Sequence, residues 1–346
     1  MKYYWYVPYW LVVIALYPLA IQASDHYTPE VNSLIQRCID YTFTGDYNEA
    51  YQVCDRLDTL EDGAMAYFYR LAVVGAAMID YEDTLGLGSF FSDSRKCIDL
   101  AQARIDSGIE TADDYFYMGS SLAYEALFYG HQGNIWAAYQ SAVKSRKVLE
   151  TCLDMDSSYV DARLGIGTYQ YWMSRKLGVL TLLPVIHDER KEGIAQLERV
   201  IDEDAPSKYL AISSLANIRI DQKEYGKALD LARRGLERYP DSRGFLWQEG
   251  AAATGLKEYK LANSIYENLL KQVTSLKRNN HFNELSCYQS MSEGYYHLGD
   301  YVTCIELARK ALELPRTEAL RQHKKNTLKQ IVHYLGLAEE KIARGQ

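Results

Sequence analysis

Apolar residues fall at helical spacing along most of this chain, and the clearest run repeats. Tyr225, Ala228, Ala232 and Gly235 stand three, four and three positions apart, and Tyr259, Ala262, Tyr266 and Leu269 copy that spacing. Each set lines one face of a helix. From Tyr225 to Tyr259 and from Ala228 to Ala262 the numbering advances by the same step, 34. A period of that length, made of two amphipathic stretches, describes a helix–turn–helix unit that cannot bury its apolar face alone and must stack on a neighbour. Strand-like alternation bounded by turn signals is absent. Beyond residue 23, the five prolines (Pro29, Pro184, Pro206, Pro240 and Pro315) stand at predicted helix starts or connections, where a missing N–H does no harm. The predicted class is all-α.

Other units extend outward from this pair. Thr28-Pro29 opens a helix to Phe43, and Gly45-Asp46-Tyr47-Asn48-Glu49-Ala50 turns into the next. Gly133-Asn134-Ile135 marks another turn, and Asp154 to Ala162 reads as a junction between units. Tyr295, Gly299-Asp300-Tyr301 and Ala308/Ala311 form a further unit, with Cys304 at the small position. The step from Ala262 to Cys304 is longer, at 42, which places an insertion of about eight near Lys277–Asn283. Units are longer between Tyr67 and His187, where Tyr67-Phe68-Tyr69 returns as Tyr115-Phe116-Tyr117 at a spacing of 48. Two long turns, at 84–94 and 176–187, carry the excess.

This pattern resembles the tetratricopeptide repeat. The resemblance implies a right-handed superhelical solenoid of about seven helix pairs, closed by a capping helix from Thr317 to about Ala343. It divides the chain into a leader at 1–23, divergent repeats at 24–205, regular units at 206–316 and the cap at 317–346. A fainter likeness, over about a tenth of the chain, is to the Iml2/tetratricopeptide-39 family of eukaryotic outer-membrane-associated repeat proteins. It rests on Gly165 to Val200, with Leu182-Leu183-Pro184 before Gly193 and Leu197.

The tetratricopeptide resemblance also implies a concave groove lined by the first helix of each pair. Carrying its register over gives Phe116, Tyr124, Tyr169, Asn217, Trp247, Gln289 and Tyr296 as partner-binding candidates, with Ser120, Asp221, Thr254, Glu293 and His297 in the same register. Aromatic rings supply contact area at low entropic cost, and amides pair with a ligand backbone. Repeats of this type that grip a C-terminal carboxylate use clustered Lys, Arg and Asn. Here Asn217 has no basic neighbour in that register, so chaperone-tail recognition is not expected.

Charge and composition narrow the class of partner. The net charge is −8 and the pI about 5.5, which argues against a general nucleic-acid surface. From Asp25 to Asp114 there are 18 acids against 6 bases, whereas Pro315 to Gln346 holds 7 bases against 3 acids. Such asymmetry suits solvated faces of opposite sign, head-to-tail self-association, or a basic partner at the N-terminal end. Of the 30 tyrosines, five precede residue 23, and a surplus lies between Tyr67 and Tyr171. That surplus reads as packing with hydroxyls reaching water, or as a stacking surface for sugars or an aromatic-rich peptide.

The first residues form a separate object. Lys2, the apolar run from Trp10 to Leu16 and the small residues ending at Ala23-Ser24 have the layout of a secretory signal peptide, with cleavage after Ala23. The mature chain is therefore expected in a bacterial envelope or outside the cell, and membrane association only if the leader is retained. All six cysteines lie beyond it. Facing residues of an antiparallel helix pair have numbers summing to about twice the turn position, so Cys38 and Cys54 meet across the turn at Gly45-Asp46. Cys287 and Cys304 stand roughly 12 Å out of level and do not.

No sequence signature points to catalysis. The seven histidines have no paired-ligand spacing, the cysteines form no CxxC, and Gly86-Leu87-Gly88 does not follow a strand. No catalytic residue, metal or cofactor is expected. The expected function is a non-catalytic scaffold for another envelope or secreted protein, held as a peptide segment or helix. The rival is a glycan or metabolite binder, or enzyme accessory, with its site in the aromatic N-terminal half.

Overall fold

The computed structural model describes residues 27–60, 63–178, 187–203, 205–315 and 317–345. The expected leader at 1–23 and most of the turn at 176–187 lie outside them. Among the described residues there are sixteen helices and no strand. Fourteen follow as seven sequential pairs: α1 (Pro29–Thr44) and α2 (Tyr47–Leu60), α3 (Ala64–Asp80) and α4 (Leu87–Asp106), α5 (Ala112–His131) and α6 (Ile135–Met155), and α7 (Ala162–Leu177) and α8 (Arg190–Asp202). The series continues with α9 (Lys208–Asp221) and α10 (Tyr225–Arg238), α11 (Arg243–Gly255) and α12 (Tyr259–Ser275), and α13 (Phe282–Leu298) and α14 (Tyr301–Glu313). Two closing helices follow, α15 (Glu318–His323) and α16 (Lys325–Ala343). The all-α class and the seven pairs are as the period predicts. The closing helix is not continuous, because Lys324 breaks it.

Local chemistry sets the ends of the pairs. Thr28 caps α1 by accepting the Val31 N–H at 3.3 Å, with Pro29 in the first turn, where its missing N–H is harmless. Gly45 then stops α1 in the left-handed region at φ 83°. Asn134 caps α6 through the Ala137 N–H at 3.2 Å. The glycine-rich stretch expected as a turn at 84–94 is mostly helix, since α4 begins at Leu87. Phe90 is the reason: it is fully buried with its ring 4.4 Å from Phe128, and this packing draws the stretch into helix despite its glycines.

The described chain forms two compact units, residues 27–79 with 84–218, and residues 80–83 with 219–345. The first unit contains α1 to α8 and most of α9, with α5 packed on α4, α6 and α7. Its core is aromatic. Phe68 lies 5.9 Å from Phe116, 5.4 Å from Tyr117 and 6.1 Å from Tyr124 between ring centroids. Edge and tilted contacts of this kind add about 0.5–1.5 kcal/mol each beyond the area buried. Part of the tyrosine surplus is this core, where Tyr69, Tyr117, Tyr124 and Tyr171 are buried, while most of the others between Tyr67 and Tyr171 are half-buried. The hydroxyl of buried Tyr117 lies 3.3 Å from that of Tyr27 within the same unit. At the expected junction, buried Asp161 accepts the Ser207 N–H at 2.9 Å.

The second unit stacks α10 to α14 in sequence and adds α16 against α13 and α14. Ala262, Ile265, Tyr266, Leu269 and Val273 of α12 share a core with Cys287 and Met291 of α13. Ala308 and Ala311 of α14 join Leu285, Leu320 and Ile331 in another. Small residues let the helices approach. A Cβ on Gly250 would stand 2.8 Å from the Tyr266 ring, and one on Gly255 would stand 2.4 Å from that of Tyr225.

Candidate functional site

The most developed surface of the second unit is a patch of rings where α12, α13 and α16 meet. Tyr259 opens α12, Tyr296 and His297 lie in the last turn of α13, and Tyr334 sits in the middle of α16. The Tyr259 and His297 rings stack at 4.6 Å with planes 15° apart. Tyr296 stands 5.5 Å from Tyr334 and 5.6 Å from Tyr301. His297 is exposed and the four tyrosines are half-buried, so each ring is both held and presented.

Polar groups line one side of the rings. Gln289 and Glu293 share a face of α13 one turn apart, and the Gln289 amide donates to Glu293 at 3.1 Å. Burial, and then the Glu293 carboxylate, raise the Tyr334 phenol well above its ordinary range. The same two causes raise Tyr259. Both phenols therefore stay protonated donors beside a carboxylate acceptor. Such a surface packs apolar or planar side chains against ring faces and offers a carboxylate and an amide to a ligand backbone.

The structure divides the expected groove residues three ways: a surface patch, residues half-buried elsewhere, and residues inside the core. Gln289, Glu293, Tyr296 and His297 come together in this patch. Trp247 is half-buried on α11 with its ring 5.8 Å from that of buried Tyr266. Tyr169 is half-buried under the Arg146 guanidinium, 5.3 Å above its ring. Phe116, Ser120, Tyr124 and Asn217 are buried, contrary to a place on an open groove wall. The first three lie on α5, which is covered by α4, α6 and α7, so the longer units turn the expected groove face inward.

Tyr259 and Tyr334 were missed among the candidates. Tyr259 reads as a framework position of the repeat, and Tyr334 belongs to a helix that reads as a polar cap. The aromatic spacing of Tyr225 and Tyr259 was the available signal. Nothing in sequence places Tyr334 beside α13.

No family model matches the chain, and no curated protein does. Solved structures do resemble it. One is the yeast Tom70, at 12% identity over 96% of this chain and 70% of that one, with a TM-score of 0.44. Another is the human IFIT1 dimer with m7Gppp-AAAA, at 12% identity over 96% of this chain and 82% of that one, with a TM-score of 0.36.

Among the described residues, no group of three or more His, Cys, Asp or Glu side chains is placed to hold a metal ion. No described helix is long and apolar enough to cross a membrane.

Proposed function

We propose that this chain is an exported, non-catalytic helical scaffold that binds a segment of another envelope or secreted protein on the ring patch of its second unit. The observation that carries this reading is the Tyr259, Tyr296, His297 and Tyr334 cluster, with Gln289 and Glu293 along its edge. Half-buried rings on three packed helices are pre-organised, so little entropy is lost when a partner covers them. Export rests on the leader-like layout of residues 1–23.

The test is capture of a partner from envelope extract by the full chain. Tyr296→Ala and Tyr334→Ala should each release it, with Tyr296→Ala costing tenfold or more in affinity. If both bind as before while Tyr169→Ala abolishes capture, the patch is not the site. N-terminal sequencing of the exported protein should begin at Ser24.

A second reading, a glycan or other small-ligand site in the first unit, is favoured by one specific observation. Trp136 and Tyr139 of α6 are 68% and 47% exposed and stack at 5.9 Å with planes 27° apart. A thermal-shift screen with glycans and metabolites tests it, and Trp136→Ala should erase any hit.

A further inference from the structure

The segment Asp80–Asp83 belongs to the second unit and is held there as a bound peptide would be. Arg243, at the start of α11, grips the Asp80 carboxylate through Nε at 2.9 and 3.1 Å and through a second nitrogen, with both side chains only 10% exposed. The Asn283 amide donates to the Asp80 carbonyl at 2.6 Å, and that of Asn280 donates to the Tyr81 carbonyl at 2.6 Å. Arg278 lies 4.9 Å over the Tyr81 ring and donates to Asp83 at 2.8 Å. Lys324, the buried residue that breaks the closing helix, reaches Glu82 at 2.8 Å and the Ser286 hydroxyl at 2.9 Å.

Three features mark this as recognition. The contacts read three backbone carbonyls, three carboxylates and one ring over four consecutive residues. The readers are fixed from within 219–345: Asn280 Oδ1 accepts the Phe282 N–H at 3.0 Å, which turns its NH₂ outward to donate. Asn279, Asn280 and Arg278 also lie in the insertion that makes this repeat step longer than the regular one. Arg243 and Lys324 set two largely buried cations directly against the Asp80 and Glu82 carboxylates, which gives the cradle its preference for acidic side chains.

We propose that this cradle is a receptor for acidic peptide segments with an aromatic second residue, Asp-Tyr-Glu-Asp in type. The chain's own residues 80–83 occupy it in cis, and a partner protein bearing such a segment competes for it. The proposal deepens the binding reading above by adding a chemically distinct surface, and it fails or stands independently of the ring patch.

The probe is a labelled peptide with the sequence Met-Ile-Asp-Tyr-Glu-Asp-Thr-Leu, read by fluorescence anisotropy against the full chain. The isosteric triple variant Asp80→Asn, Glu82→Gln, Asp83→Asn weakens the cis occupant and should bind the peptide at least tenfold tighter than the wild type. Adding Arg243→Ala or Lys324→Met should abolish that gain, rising salt should weaken binding, and adding Tyr296→Ala should leave it unchanged. Should the triple variant lose its helical circular dichroism, Asp83→Asn alone, at the rim, should show a smaller gain of the same sign. Equal binding by folded variant and wild type, or equal binding of a scrambled peptide, overturns the proposal.

Discussion

Lys223 and Lys257 stand one repeat period apart and share a left-handed backbone, at φ 60° and 64°. Each closes the first helix of its pair, and each precedes the glutamate that opens the second, Glu224 or Glu258. The repeat is thus written in the backbone as well as in the apolar stripe. At the corresponding turns, Gly45 and Gly299 take the same region, at φ 83° and 80°. A residue with a Cβ is strained there by about 1 kcal/mol. Lys223→Gly and Lys257→Gly should therefore each be neutral to stabilising, by up to about 1 kcal/mol, and Gly299→Ala should destabilise by about 1 kcal/mol. Urea unfolding midpoints at constant slope decide this, and a loss of stability in both Lys→Gly variants would refute it.

Close approach between helices makes a second prediction. A Cβ on Gly235 would lie 2.3 to 2.5 Å from the Phe245 ring, which is itself fully buried. Gly235→Ala should cost about 1–3 kcal/mol by overpacking, although alanine is the better helix former. Gly226 has open space around it, so Gly226→Ala should stabilise by roughly 0.5–1 kcal/mol. Opposite signs in thermal melts are the expected outcome.

Cys38 and Cys54 face each other across the first turn with sulfurs 3.5 Å apart, both buried. In an oxidising compartment, transfer of two electrons and two protons to a disulfide exchange partner would join them. Closing a loop of this size adds about 3 kcal/mol by the chain-entropy model. Mass spectrometry of oxidised protein should show a loss of two hydrogens that Cys38→Ser prevents. Cys304, whose thiol points to the Tyr334 carbonyl at 3.8 Å, should stay free.

Alkaline pH should unfold the second unit before backbone chemistry does. Burial pushes the Tyr266 phenol up to about 12, and burial with the Glu267 carboxylate does the same to Tyr295. The folded state holds these protons more tightly than the unfolded chain, whose tyrosines titrate near 10. Their contribution is therefore complete below about pH 10 and is lost as pH rises toward about 12. Unfolding midpoints should fall across that window together with the rise in phenolate absorbance, and Tyr266→Phe should flatten the slope.

Much of the fold was legible because a period is a local property. The stripe through Tyr225 and Ala228, the turn at Gly133-Asn134 and the junction at Asp161 all follow from neighbours within a few residues. The facing of Cys38 and Cys54 followed from counting residues about one turn. The candidate surface was legible in part, at Gln289 and Tyr296, where the turn at Gly299-Asp300-Tyr301 fixes the register of α13. Phe116 and Tyr124 were misread because which face of α5 is covered depends on three other helices.

The sequence by itself determined the helical class, the pairing of successive helices and the place of the insertion at 277–283, because spacing and turn chemistry act along the chain. Only the tertiary structure decided that Tyr334 joins Tyr296, or that Arg243, Asn280 and Lys324 converge on Asp80–Asp83. Those residues lie far apart along the chain. No local pattern encodes such a meeting; it arises when burial selects one packing of helices, and charges then pair where that packing leaves them.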